Sequence, residues 1–324
     1  MDYLKLKGVT DVNQSLLSNE LQDNVVEFLD WGFLNIGNYY NVTLGETDNN
    51  GNDMSELKPV RKDPNYEKGQ AWQGFRSNWV WQSGIDYTPA PLVGSDDANP
   101  GVSGVYVDST FYPSNTTGTY AHKVDHFNGT IIFNNPIPQN STVQAEYSYK
   151  NINVVYSANL PWLRQVQKRT YAVPGGFSQV DKGPYELPPQ MRLQLPAIAV
   201  EVVPRRRYKG YQLGGGQFTY TDILFHCIAE DEYTVNQMID TVSFQNDKTI
   251  FMFDSNWVAS SGAFPLDYMG IPVASAKRYP ELIQEFSTKR LRFQNSLVSE
   301  VEMLNSDLHG GVVRMTAEII KDNI

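Results

Sequence analysis

The stretch Pro204–Tyr220, PRRRYKGYQLGGGQFTY, sets three consecutive arginines and a lysine beside a run of glycines. Such residues could cradle phosphate, but a nucleotide loop ends in Gly-Lys-Ser/Thr, where the lysine reaches the outer phosphates and the hydroxyl holds magnesium. Here Gln217 and Phe218 follow the glycines, and the dipeptide Gly-Lys occurs nowhere in the chain. A dinucleotide fingerprint must open a helix, whereas Gly214–Gly216 run into QFTYTDILFHCIA, which has strand composition. The stretch therefore predicts the turn region of a β-hairpin. Arg205, Arg206, Arg207 and Lys209 are its chemically informative residues. A charged, solvated strand edge, a contact with an acidic protein neighbour and a nucleic-acid backbone contact all fit them; the protein contact is the expectation, with these four as candidate subunit-contact residues.

Other reactive pairs fail on spacing. His226 and Cys227 are adjacent in strand text, so they point to opposite faces and cannot act as base and nucleophile; a buried cysteine beside a partly exposed histidine is expected. His122 and His126 in one strand would stand ~13 Å apart, too far to share a metal ion. Asp48, Asn50 and Asn52 alternate like the start of a calcium loop, but Asp53 occupies the sixth, glycine position and Pro59 the closing one. Neither GxSxG nor HExxH occurs. No catalytic residue, cofactor or metal is assigned, and the chain is expected not to be an enzyme. Trp72, Trp79 and Trp81 could form a stacking platform for sugars, although core packing is the expectation for them.

The elements that would carry these residues are bounded by composition. A length of 324 residues suggests two or three modules, and 41% hydrophobic with 12% aromatic residues excludes wholesale disorder. A net charge of −10 makes nucleic acid unlikely as the main partner. The charge is uneven: residues 1–60 hold three Lys/Arg against ten Asp/Glu, and residues 161–217 hold nine against three. Acidic and basic parts of different copies could therefore meet. No apolar run reaches the ~18 residues of a membrane span, and the opening MDYLKLKGVTDV lacks a signal-peptide core. Synthesis in a cytoplasm, with no membrane partner, is expected. One cysteine excludes an internal disulfide framework.

Along the chain, Leu17, Leu21, Val25, Phe28 and Leu29 predict an amphipathic helix stopped at Gly32 or Gly37. Residues 41–70 read as a long exposed polar loop. Residues 71–160 read as short strands of a β-sandwich or small barrel, with Asn128-Gly129 as a two-residue hairpin turn. Residues 161–195, rich in Pro and Gly, read as a linker or arm. From 196 to 324, strands at AIAVEVVP, FTYTDILFHCIAE, KTIFMFD, RLRFQNSLVSEVEML and GVVRMTAEII surround a helix bearing Val235, Met238, Ile239 and Val242, with a short helix at RYPELIQEF. The fold class is α+β: an N-terminal helix and polar loop (1–70), an antiparallel β module (71–160), the linker (161–195) and a C-terminal α+β domain (196–324).

The run YVDSTFYP…TYAHKVDHFNGTIIFNNPIPQNSTVQAEYSYK, Tyr106–Lys150, has a strand, an Asp-x-x-Asn-Gly turn, an IIF strand and a VQAEYSYK strand in order. It resembles the β modules of tailed-bacteriophage structural proteins. From IAVEVV to VVRMTAEII, the order of elements is similar to that of the tail-terminator and tail-completion proteins of the phage neck. The resemblance implies a virion structural protein, assembled in the host cytoplasm, that forms a homo-oligomeric ring in the neck or tail and joins neighbouring neck and tail proteins. A baseplate or fibre-attachment protein is the alternative within that class. A β-sandwich module binding glycan through Trp72, Trp79 and Trp81 is the alternative outside it.

Overall fold

Leu21, Val25 and Leu29 recur at helical spacing and are buried in helix α1, Leu17–Asn35. In this computed structural model the described residues are 17–48, 51–60, 63–85, 91–94, 100–157, 194–212, 215–263, 271–272, 275–299, 301–305 and 308–321. Helix α1 runs through Gly32 and ends before Gly37, whose positive φ lets its N–H and that of Asn38 return to the carbonyls of Leu34 and Phe33. The described chain is mixed α+β, with antiparallel strand pairs and four helices. It divides into two compact units: Trp31–Asn153 with Gly262–Arg278, and Met1–Asp30 with Val154–Ser261 and Tyr279–Ile324.

The first unit is built on one eight-stranded sheet. Its strands are β1 Tyr39–Val42, β2 Glu56–Pro59, β3 Ala71–Gln73, β4 Val102–Val107, β5 Thr110–Tyr112, β6 His122–Asp125, β7 Thr130–Phe133 and β8 Val143–Lys150. The order is β5-β4-β8-β2-β3-β7-β6, with β1 also on β8. Val105 and Val107 on β4 share a core with Val124 on β6, almost the full width of the sheet away. The sheet therefore curls over its own apolar face, around Trp72, Trp79 and Tyr147. The boundary expected at residue 70 falls inside this sheet: the polar stretch from Asn41 contributes the end of β1 and all of β2. Alternation too short to stand out among glycines and charges is enough when β8 supplies a partner for β1 and for β2.

The β6–β7 turn also differs from expectation. Asp125 pairs with Thr130, so the loop is four residues long, and only Gly129 within it has positive φ. The Asp125 carboxylate accepts from the Asn128 backbone N–H and side-chain amide, at 3.0 and 2.7 Å. That local turn replaces the two-residue hairpin.

The second unit is a seven-stranded sheet of β9 Asn153–Tyr156, β10 Ala197–Gln212, β11 Gly215–Ala229, β12 Thr249–Phe253, β13 Ser287–Val298, β14 Glu302–Asn305 and β15 Leu308–Lys321. The order is β12-β13-β15-β11-β10-β9, with β14 on β15. Helix α2, Glu232–Ser243, buries the expected Val235, Met238, Ile239 and Val242, and a Cβ on Gly311 would stand 2.6 Å from Ile239. Gly311 thus lets α2 lie close on the sheet. Helix α3, Ser255–Ser261, was too short for periodicity to mark; α4, Tyr279–Phe286, is the short helix expected at RYPELIQEF. Ile198, Val200, Ile223, Phe225, Met315, Ala317, Ile319, Leu291 and Phe293 alternate onto the buried face. Apart from 194 and 195, the expected linker lies outside the described residues.

Candidate interaction surface

The basic run lies within strands rather than in a turn. β10 and β11 form one long hairpin, in register from Ala197↔Ile228 to Gln212↔Gly215, with the two residues between the last pair, including Gly214, outside the described set. Between Val202↔Ile223 and Arg206↔Thr221 the register shifts, so three residues of β10 oppose one of β11. Pro204 sits in this bulge, where its missing N–H breaks no ladder bond. The Thr221 hydroxyl donates to the carbonyls of Val203 and Arg205, at 2.8 and 3.2 Å, and holds the bulge. Beyond it the hairpin comes out of the core: Arg205, Arg207, Tyr208, Lys209 and Gly210 are all exposed.

Alternation then divides the four basic residues. Arg207 pairs with Tyr220 and Lys209 with Phe218 on the outer face. Arg206 pairs with Thr221, which is buried, and its guanidinium donates to the Ser18 hydroxyl. Arg206 is thus corrected from a surface contact to an internal tie between β10 and α1.

Register carries the outer face across five strands. One row runs Lys209, Phe218, Ile320, Arg290, Phe251; the next runs Arg207, Tyr220, Glu318, Arg292, Thr249. The Arg207 guanidinium lies 5.8 Å from the Tyr220 ring centre and that of Arg290 lies 5.6 Å from Phe251. The Tyr220 hydroxyl donates to Glu318 at 2.7 Å, a bond that raises the tyrosine's pKa. Gln294 also donates to Glu318, and Arg292 reaches Asp247 at 3.1 Å. Among the described residues, no carboxylate lies within ion-pair distance of Arg205, Arg207, Lys209 or Arg290. Among the described residues, this surface therefore presents cations without a carboxylate partner beside aromatic and aliphatic side chains. Sequence reading missed Arg290, Arg292 and Phe251, although the alternation of KRLRFQ marked the two arginines as outward.

The other expectations resolve on burial. Trp72, Trp79 and Trp81 are 1%, 1% and 8% exposed. They cannot form a sugar-stacking platform, since Trp79 stacks on Tyr147 at 4.3 Å inside the curled sheet. Cys227 is buried, and burial pushes its thiol up to about 12. His226 is buried rather than partly exposed, bonded to Glu201 at 2.9 Å across the β10–β11 pair. His122 and His126 are both buried, and His126 lies past the end of β6. In the polar turn, the Asp48 carboxylate accepts from the Asn52 backbone and side chain, and that of Asp53 from Ser55 and Gln144. Those carboxylates hold the turn together. No cluster of metal-binding side chains occurs among the described residues.

No protein-family model and no curated protein matches the chain. No helix among the described residues is long and apolar enough to cross a membrane.

Proposed function

We propose that this protein is a structural component of a tailed-phage particle, a subunit of a ring in the neck or tail region that joins adjacent virion components. The order of elements from β10 to β15 is read as that of a tail-terminator-like domain, with the curled sheet of the other unit as an added module. The observation that carries the reading is the exposed basic end of the β10–β11 hairpin. A strand pair stabilised at its base by a bulge, then carried out of the core with Arg205, Arg207 and Lys209 exposed and without a carboxylate partner among the described residues, suits contact with an acidic neighbour. Heterologous contacts of this kind close into rings when their rotation permits.

Mass photometry and sedimentation of the purified chain test this. Assembly is expected at low salt, weaker at high salt because exposed charges are screened within ~10 Å at 0.1 M. Reversal of Arg205, Arg207 and Lys209 to Glu is expected to leave the circular dichroism unchanged and the protein monomeric. Arg206 is left intact because its change would disturb the tie to α1. A wild-type chain that stays monomeric at every concentration would overturn the ring; unchanged assembly of the variant would overturn the charged contact.

A further inference from the structure

The outer face of the seven-stranded sheet is amphipathic, and this determines what can cover it. Its first row alternates cation and apolar group: Lys209, then Phe218 and Ile320, then Arg290 and Phe251, the last 52% exposed. A purely acidic partner would leave the apolar groups wet, and a purely apolar one would strand the cations. The complementary surface needs carboxylates interleaved with an aromatic and an aliphatic side chain.

Such a surface exists on the other unit of the same chain. Tyr40, at 55% exposed, and Leu44, at 41%, project from β1 and the turn that follows it, and Glu46 is exposed in that turn. β1 is a four-residue strand that pairs with β8. The turn is preshaped: Glu46 accepts from the Thr43 N–H at 3.1 Å, and the Met54 N–H donates to the Glu46 carbonyl at 2.8 Å. Glu146 and Asp48 add negative charge nearby, since Glu146 accepts from the Leu44 N–H and Asp48 closes the following turn.

We infer that the basic outer face of one copy, centred on Lys209, Arg290 and Phe251, docks the Tyr40–Leu44–Glu46 edge of a second copy. The inference rests on the ring reading and names the contact within it. The two surfaces differ, so each copy offers one of each and the contact propagates from subunit to subunit. The cations set encounter and register, while the apolar groups slow dissociation.

Two single-face variants test it, Lys209→Glu with Arg290→Glu on the basic face and Leu44→Asp with Glu46→Lys on the edge. Each alone is expected to shift the wild-type assembly to monomer by mass photometry, weakening association at least tenfold. An equimolar mixture is expected to stop at dimers, because only one intact contact remains. Zero-length carboxyl–amine cross-linking of isotopically mixed wild type is expected to join Lys209 to Glu46 between copies. If the basic-face variant fails to assemble while the edge variant assembles like wild type, the partner is another surface and this inference falls while the ring stands. If wild type itself does not assemble, the ring reading falls.

Discussion

Asn24 has no exposed surface, yet it sits midway along α1 facing the edge strand β12. Its amide donates to the Phe253 carbonyl at 2.9 Å and accepts from the Phe253 N–H at 2.8 Å, as a neighbouring strand would. One side chain thus closes a stretch of open sheet edge. Asn24→Ala would leave two buried backbone groups unpaired, at a cost of roughly 3 kcal/mol, read as a fall in the urea midpoint. A loss under about 1 kcal/mol would show that water replaces the amide. His126 is a second buried polar group with consequences. Burial pushes its pKa down to about 4, while its ring Nε2 meets the Pro100 carbonyl at 3.3 Å. The unfolded chain, with histidine near 6.5, binds the proton that the folded chain refuses. Stability is therefore full above pH 6.5 and lost as pH falls toward 4, roughly 2 kcal/mol of it by pH 5. Glu20 and Asp23, whose carboxyl pKa values burial raises, act in the opposite sense. The difference in pH slope between wild type and His126→Gln isolates the histidine; equal slopes would refute it.

Hairpins show how an element depends on its surroundings as well as on its own residues. Gly129, in the β6–β7 loop, and Gly118 both have positive φ. A Cβ on Gly129 would run into the Arg76 carbonyl and stand 2.9 Å from the Ser77 Cα and the Trp79 indole nitrogen, whereas a Cβ on Gly118 would meet open space. Gly118→Ala carries only backbone strain, about 1 kcal/mol, and Gly129→Ala is expected to lose roughly 2–3 kcal/mol because backbone must also move. Thermal unfolding of the two variants decides the matter, and equal losses would mean the loop relaxes freely. The β10–β11 hairpin follows the same logic at larger scale. Its bulge at Pro204 separates a buried base from an exposed end, so charge reversal at the end should spare the fold.

At the level of the whole chain, a net charge of −10 coexists with a basic sheet face. In the proposed ring, like copies would repel on average but attract where that face meets an acidic edge, so salt would weaken the specific contact and the general repulsion together. The fall in assembly at high salt is expected because the charges of the proposed contact would be close while the remainder are spread over the surface. The apolar groups of the face, Phe218, Ile320 and Phe251, predict a residual association that salt does not remove.

Periodicity is a local property, and what depended on it was legible in advance. The apolar stripe of α2, the helix α1, the short helix α4 and most strands of the C-terminal half follow from spacing and from side chains that bury on one face, although RLRFQNSLVSEVEML, read as one strand, divides into β13 and β14. The four basic residues were likewise visible as charge. Their division was not, because the bulge at Pro204 changes which of them point outward, and Arg206 finds Ser18 about 190 residues earlier in the chain. Nor could spacing reveal that Arg290 and Phe251 stand beside Lys209, since that follows from strand order and register across five strands. The three tryptophans were ambiguous for the same reason: a large aromatic ring suits a core and a binding surface equally, and only the tertiary structure put theirs inside, Trp72 and Trp79 within the curl of the sheet. Pairing between distant segments is set by the burial of all the strands at once, which no short stretch of residues contains.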